Sequence, residues 1–153
     1  TNPLNNLFGG ELLARMDRAA SIAARRHSRR ITVTASVNHV AFNHPVPLGS
    51  VVTVEAAVSR AFNTSMEIYI DVWMEDRQNR KRSKANEAIY TFVAVDDSGI
   101  PTKVPPLEPE TDLEKERFEG ALRRKQLSLI LAKRMKPSDA TELKALFMGK
   151  SPN

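Results

Sequence analysis

The hydrophobic pattern of this chain changes its period at the pair Arg29-Arg30. Before the pair, over residues 7–27, apolar and small residues recur three and four positions apart, which is typical of a helix: Leu13, Met16, Ala20, Ala23 and Ala24. After the pair, four stretches rich in β-branched residues predict long strands, at 31–38, 51–62, 65–76 and 85–96. One alanine-rich helix followed by four strands predicts an α+β fold whose sheet curls around the helix.

The third stretch has the clearest alternation. Apolar side chains occupy one side (Met66, Ile68, Ile70, Val72, Met74), and mostly polar side chains occupy the other (Glu67, Tyr69, Asp71, Glu75). This alternation predicts a sheet with one solvent-exposed face. Trp73 interrupts the polar side, either as half-buried packing or as a contact with another subunit.

The connections between the strands are short, which predicts an antiparallel meander, because parallel strands need a crossover of about a dozen residues. Strands of this length exceed the usual five or six residues, and one helix does not cover so much sheet. We therefore expect an exposed face or edge to meet a second copy of the chain, in a dimer at least.

The segment after the strands, residues 100–111, contains four prolines and is expected to be an extended strap. A charged helix is predicted over 112–134 and a short one over 138–148, the latter capped by Ser138-Asp139. Together with the preceding pattern this divides the chain into residues 1–107, which carry the helix and sheet, and a C-terminal strap and helical extension over 108–153.

Composition limits the classes of partner. The chain of 153 residues has no cysteine, which excludes disulfides and thiolate metal sites, and His27, His39 and His44 lack the spacing of metal ligands. No apolar run approaches the length of a membrane span, so we expect a cytoplasmic protein. The chain begins at Thr1 without a methionine, and we expect further residues upstream. A net charge of +5 favours an anionic partner: nucleic acid, anionic lipid or a polyphosphate-bearing cofactor.

Asp17 is the most informative polar residue of the helical segment. It lies four residues after Leu13 and three before Ala20, on the stripe of small apolar residues, so we expect its carboxylate to be largely buried. Such a carboxylate is either an acid/base group or a structural partner of an arginine, and the residues alone leave both interpretations open.

The residues before the helix combine amide side chains with a pair of glycines, whose backbone no side chain covers. Asn2, Asn5 and Asn6 precede Gly9-Gly10, and free N–H groups at a helix N-terminus favour negative charge. The pattern is that of an oxyanion site. An asparagine N-cap and a glycine turn account for each residue separately, so this alternative remains.

In order along the chain, four segments resemble the hotdog-fold acyl-CoA thioesterases of the bacterial and cytosolic acyl-CoA hydrolase type: TNPLNNLFGGELLARMDRAASIAARRH, ITVTASVNHVAFNHPVPLGSVVTVEAAVSR, NTSMEIYIDVW and AIYTFVAVDDSGIPTKVPPL. The resemblance covers residues 1–107 and leaves open whether an N-terminal strand lies upstream. It implies a long central helix wrapped by a curved antiparallel sheet. It also implies active sites at a dimer interface, in a hexamer built as a trimer of dimers.

The resemblance also implies roles for individual residues. Asn2 corresponds to the asparagine that holds the thioester carbonyl or the attacking water, with Asn6 as the fallback for that role. Asp17 corresponds to the catalytic carboxylate supplied by the facing protomer, acting as general base or nucleophile. Gly10, next to Gly9 in the substrate-binding entrance, offers its backbone N–H to the thioester oxygen. Thr64 and Ser65 correspond to a turn that lies along CoA.

The sequence therefore predicts an enzyme that hydrolyses acyl-CoA to a carboxylic acid and CoA without a metal or redox cofactor. A hotdog protein that binds acyl-CoA without hydrolysing it is the main alternative. A third is an RNA-binding module that uses the basic loop at 77–84, in particular Arg80, Lys81 and Arg82. The loop lacks interleaved aromatic residues, so a solvated hairpin is favoured there and nucleic-acid binding is not expected.

Overall fold

The computed structural model describes residues 9–42, 44–133, 136, 138 and 140, with the backbone alone at His39 and Phe42. Along the chain it contains six elements: α1 (Gly9–Ser28), β1 (Ile31–Phe42), β2 (Val51–Ala61), β3 (Ser65–Glu75), β4 (Arg82–Val95) and α2 (Asp112–Leu131). Asn2, Asn5, Asn6 and most of the predicted helix 138–148 lie outside the described residues. The predicted α+β class is confirmed, and α1 contacts all four strands.

Helix α1 packs on the sheet through one narrow stripe. Leu12, Met16, Ala20 and Ala24, each four residues from the next, are buried. The two alanines allow the helix backbone to approach the sheet closely. The helix ends at Ser28 because Arg29 adopts a left-handed conformation (φ 57°), and its N–H donates to the Arg25 carbonyl at 2.8 Å.

The four strands form one antiparallel sheet in the order β1-β4-β3-β2. Strands β2, β3 and β4 form the predicted meander, but β1 pairs with β4 instead of β2, so the prediction of a simple meander was wrong for this strand. The turns after β2 and β3 are short and force their strands to be neighbours, whereas the longer connection over 43–50 permits β1 and β2 to occupy opposite edges.

The core lies between α1 and the helix-facing side of β3 and β4. The residues of β3 predicted to be apolar and buried are buried: Met66, Ile68, Ile70 and Val72, with Met74 partly buried. Tyr90 and Phe92 of β4 pack beside them with ring centroids 6.4 Å apart. Each large apolar side chain buried in this way contributes roughly 1.5–3 kcal/mol relative to an exposed one.

The opposite side of β3 is not the solvent-exposed face that the alternation predicts. Glu67 is 4% exposed and Asp71 is 7% exposed. The Ser59 hydroxyl donates to Glu67 Oε1 at 2.6 Å, and Lys84 Nζ lies 2.7 Å from Asp71 Oδ1. Because β3 is an inner strand, polar side chains of β2 and β4 reach these carboxylates and offset the cost of burying them.

The proline-rich segment is extended over 102–107 and is bound to the first helix and sheet at several points. Val104 is buried, its N–H donates to the Asn63 carbonyl at 2.8 Å, and the Thr102 N–H donates to the Ala94 carbonyl at 2.9 Å. His27 Nε2 donates to the Pro105 carbonyl at 2.8 Å. The strap therefore links the end of α1 to the turn between β2 and β3.

The chain divides into two compact units, one ending at Leu107 and the other beginning at Glu108. In the second unit, α2 begins with a capping box. The Thr111 side chain accepts the backbone N–H of Glu114, and the Glu114 side chain accepts the backbone N–H of Thr111. It ends at Leu131, three residues before the predicted end, and Lys133 then adopts φ 58°. Among the described helices, none is long and apolar enough to cross a bilayer.

Candidate active site

The carboxylate of Asp17 lies on the surface of α1 in the single chain. Our expectation that it is buried was therefore wrong for one copy of the chain. Asp17 directly follows Met16, which belongs to the buried stripe, and consecutive residues of a helix point about 100° apart. The side chain therefore flanks the stripe that Leu12, Met16 and Ala20 form, at the edge of the helix–sheet contact.

A threonine of the neighbouring strand holds this carboxylate. Thr34 Oγ1 of β1 donates to Asp17 Oδ1 at 3.3 Å. Thr34 pairs with Phe92 of β4, which faces the core, and the ladder shifts register immediately after it. Sequence reasoning missed Thr34. One sequence signal could have identified it. Thr32 and Thr34 are polar residues at positions of the first strand that face the helix, where apolar residues are expected.

Tyr90 lies on β4 beneath the same region and is 2% exposed. Burial raises the pKa of the Tyr90 phenol above 10.0, and the negative charge of Asp17 raises that pKa further. Tyr90 is therefore protonated at neutral pH.

Gly9 and Gly10 form the first described turn of α1, where backbone N–H groups have no partner within the helix. Gly10 is exposed. Gly10 and Asp17 are seven residues apart, which places them on nearly the same face of α1 but about 10 Å apart along the axis. One copy of the helix does not bring both groups to the same carbonyl.

Thr64 and Ser65 lie at the turn between β2 and β3. The Thr64 carbonyl accepts the Ala94 N–H at 2.9 Å, and the Ser65 carbonyl accepts the Phe62 N–H at 2.8 Å. Ala94 is two residues after Phe92, the β4 partner of Thr34, which is roughly 7 Å along the strand. The turn therefore lies toward the end of the sheet near the C-terminus of α1, on the other side of β4 from β1.

The basic hairpin is partly occupied by contacts within the protein. Lys84 Nζ lies within 2.7 Å of both Asp71 and Glu87, and Arg82 lies 2.8 Å from Glu55 and stacks over the half-buried Trp73 ring at 4.6 Å. These contacts leave fewer free cations for a polyanion than the sequence suggests. Within the described residues no group of three histidine or acidic side chains has the arrangement of a metal site.

Comparison with known proteins places this geometry in a family. The model of the thioesterase superfamily matches residues 4–80. YkhA of Bacillus subtilis, named as an acyl-CoA thioester hydrolase, is 42% identical over 114 residues, which are 74% of this chain and 66% of that protein. A crystal structure of a hexameric acyl-CoA thioesterase superposes with a TM-score of 0.83 at 37% identity, over 86% of this chain and 85% of that one.

The chain belongs to the hotdog-fold acyl-CoA thioesterases of the thioesterase superfamily. The predicted family, fold class and enzyme class are thereby confirmed. A further member, an acyl-CoA hydrolase of Staphylococcus aureus in complex with butyryl-CoA and CoA, matches this thioesterase with a TM-score of 0.80 at 36% identity, over 95% of this chain and 87% of that one.

Three further structures of the Staphylococcus aureus hydrolase carry single alanine substitutions. They replace an asparagine, an aspartate 15 residues after it and a threonine 17 residues after the aspartate. This thioesterase has an asparagine, an aspartate and a threonine at the same spacing, namely Asn2, Asp17 and Thr34.

Proposed function

We propose that this protein hydrolyses acyl-CoA to a carboxylic acid and CoA, with Asp17 as the general base of a site shared between two copies of the chain. The observation that carries the proposal is the exposed Asp17 carboxylate, which accepts a hydrogen bond from Thr34 of β1. Asp17 and Gly10 lie on nearly the same face of α1. The common spacing of Asn2, Asp17 and Thr34 with the three substituted residues of the Staphylococcus aureus hydrolase supports these assignments.

The distance within α1 supports a shared site. A base and an oxyanion donor that act on one thioester lie about 3 Å from the reacting atoms. Asp17 and Gly10 of one helix are about 10 Å apart along the axis. Two copies of α1 related by a two-fold axis perpendicular to the helix run antiparallel, and such a pairing can bring Asp17 of one copy to the partner's Gly10 and create two equivalent sites.

Strand β1 offers the surface for this pairing. It is an edge strand of the sheet, and Ile31, Val33 and Val37 are about half exposed on it. An exposed edge with apolar side chains is normally covered in a native assembly. We propose that β1 takes part in the dimer and that three dimers form a hexamer, and the hexameric neighbour supports the hexamer.

In the proposed reaction, Asp17 accepts a proton from a water molecule whose oxygen attacks the thioester carbonyl carbon. The partner's Gly10 donates its N–H to the developing oxyanion, and the amide of the partner's Asn2 holds the carbonyl or the water. The C–S bond then breaks, and the thiolate of CoA receives the proton from Asp17. General base catalysis contributes roughly 10²–10⁴ in rate and one oxyanion donor roughly 10²–10³.

Thr64 and Ser65 are proposed to contact CoA along its pantetheine and nucleotide parts. Their turn is bound by the strap through Asn63 and by β4 through Ala94, so its backbone is fixed before substrate binds. Neither the proposed reaction nor these contacts require a metal or redox cofactor. The cytoplasmic location stays a prediction.

The first experiment measures free thiol release from acyl-CoAs ranging from acetyl to palmitoyl. Wild type is expected to turn over part of this panel, and Asp17→Asn is expected to lose at least about a hundredfold in kcat. Arg18→Gln, on the next residue of the same helix, is the control and should retain activity. Binding of CoA by calorimetry without any thiol release would contradict the hydrolase and support the non-hydrolytic alternative.

Mixed assemblies test the shared site directly. Asn2→Ala and Asp17→Asn chains are each expected to be inactive alone. When the two are unfolded together and refolded, each mixed dimer has one doubly substituted site and one intact site. Activity should therefore return to a substantial fraction of the wild-type value. If mixing restores nothing, although both variants refold and assemble, the two residues act within one copy of the chain.

A further inference from the structure

Three arginine side chains surround one depression where α1 ends and β1 begins. Arg25, Arg29 and Arg30 line it together with the start of β1 and the end of β4, and its volume is about 370 Å³. All three guanidinium groups are exposed, and none has a hydrogen bond or ion pair with any described residue of the chain. The depression therefore presents guanidinium donors that no described side chain binds.

The conformation of Arg29 is unusual for an arginine. At φ 57° it occupies the left-handed region that ends many helices and that glycine adopts most easily. A side chain other than glycine costs roughly 1–2 kcal/mol in this region. The chain therefore carries a guanidinium at a position where glycine is the more stable choice, which favours a role for the side chain itself.

Asp96 and Asp97 also line the depression, but neither lies within ion-pair distance of an arginine there. Asp96 Oδ1 accepts the backbone N–H groups of Ser98 and Ile100 at 2.9 and 3.0 Å and is thus part of the turn after β4. Basic residues also complement the negative end of a helix dipole, but that explains Arg25 in the last turn better than Arg30 beyond the helix.

The depression lies next to the turn proposed to contact CoA. Val95, which lines it, directly follows Ala94, whose N–H donates to the Thr64 carbonyl at 2.9 Å. Arg25 and Arg29 follow Asp17 by eight and twelve residues, so they lie about 12 and 18 Å from it along the helix axis. The extended arm between the sulfur and the diphosphate of CoA is roughly 15 Å long at ordinary bond lengths.

We propose that Arg25, Arg29 and Arg30 bind the phosphate groups of CoA while its thioester lies at Asp17. This assignment rests on the proposed acyl-CoA substrate. Guanidinium groups pair with phosphate through two parallel hydrogen bonds, which suits a cluster of three around one depression. The basic hairpin is not the phosphate site, because it begins beyond the far end of β3, roughly 33 Å along that strand from Ser65.

The test compares acyl-CoA with S-acylpantetheine, which carries the same acyl group and thioester but no diphosphate. Arg29→Gln/Arg30→Gln is expected to lower the ratio of the two kcat/KM values by about a hundredfold, since each charge-assisted contact contributes about tenfold. Arg80→Gln/Lys81→Gln removes the same charge from the hairpin and should leave the ratio within about twofold. An unchanged ratio in the first variant, or an equal fall in the control, overturns the proposal.

Arg29→Gly separates binding from folding. Glycine relieves the left-handed backbone while it removes the guanidinium, so this variant should be at least as stable as wild type in urea and yet weaker toward acyl-CoA by about tenfold. If wild type releases no thiol, the proposed hydrolase fails and the arginines are tested separately by calorimetry with CoA. Wild type should then bind CoA about tenfold more tightly than Arg29→Gly, and equal affinities overturn the phosphate site.

Discussion

Thr34 Oγ1 donates a hydrogen bond of 3.3 Å to Asp17 Oδ1 and so connects the first strand to the middle of the first helix. The carboxylate is exposed in one copy of the chain, and this contact is what orients it. A general base acts only when its lone pair points at the proton to be removed. Thr34 is therefore a positioning residue in the proposed reaction, since it acts through Asp17.

Thr34→Ala is expected to lower kcat for acyl-CoA hydrolysis by about tenfold or more, because a hydrogen bond to a charged group contributes about 1.5–3 kcal/mol. Thr34→Ser should retain most of the activity, and KM should change little in both variants. Initial rates of thiol release check this. Thr53→Ala, at an exposed position of β2, is the control. If the alanine and serine variants lose activity equally, the hydroxyl does not position the base.

Replacing Tyr90 changes how stability depends on alkaline pH. Burial and then the Asp17 charge raise the pKa of Tyr90 in the folded protein above 10.0. Its contribution is therefore complete below pH 10 and is lost as pH rises further, because the unfolded phenol ionises first. Urea unfolding at pH 8 and pH 11 should show a smaller loss of stability for Tyr90→Phe than for wild type. An equal loss would contradict the raised pKa of Tyr90.

Lys84 links Asp71 and Glu87 on the side of the sheet away from α1. Burial lowers the pKa of Lys84, but the hydrogen bonds and charges of the two carboxylates outweigh it and raise that pKa above 10.5. The stability that these contacts of Lys84 contribute is present below pH 10.5 and is lost as pH rises through the higher pKa of Lys84 in the folded protein. Lys84→Met should cost about 1 kcal/mol at pH 7, and less at pH 11.

The control for Lys84→Met is Lys81→Met, since Lys81 is exposed on the same hairpin and its side chain pairs with no described carboxylate. Urea unfolding of both variants at the two pH values provides the comparison. A larger loss for Lys84→Met at pH 11 than at pH 7 would contradict the assigned charge state.

The interior of β3 should dominate the stability of the sheet. Ile70 is fully buried against α1, so Ile70→Ala is expected to lower the free energy of unfolding by about 2–5 kcal/mol. Val51→Ala, at a position of β2 that is more than half exposed, should change it by about 0.5 kcal/mol or less. Thermal or urea unfolding checks both. Equal effects would mean that the α1–β3 contact is not the main core.

Local patterns predicted the elements of this protein well. The helical period before Arg29 and the alternation after it identified α1 and all four strands to within a few residues at most ends, and the apolar side of β3 is the side that packs on α1. These properties depend on residues three or four apart in a helix and two apart in a strand. Such separations are short enough to be read directly from the chain.

The errors concern contacts between elements. The burial of Asp71 and Glu67 depends on side chains of neighbouring strands, and the pairing of β1 with β4 depends on the path of a long connection. Asp17 was expected in the core because it lies at helical spacing from Leu13 and Ala20. The stripe of α1 that packs on the sheet is narrow: it includes Met16 and Ala20 but not Asp17.

By itself, the sequence determined the order and type of the elements, the absence of cysteine chemistry, the excess of positive charge and the family to which the chain belongs. Only the tertiary structure decided that Thr34 meets Asp17 and that Arg25, Arg29 and Arg30 share a depression with the end of β4. The reason is physical: strand register and helix docking are set by packing of the whole core, and a shift of one residue reverses the direction of each side chain.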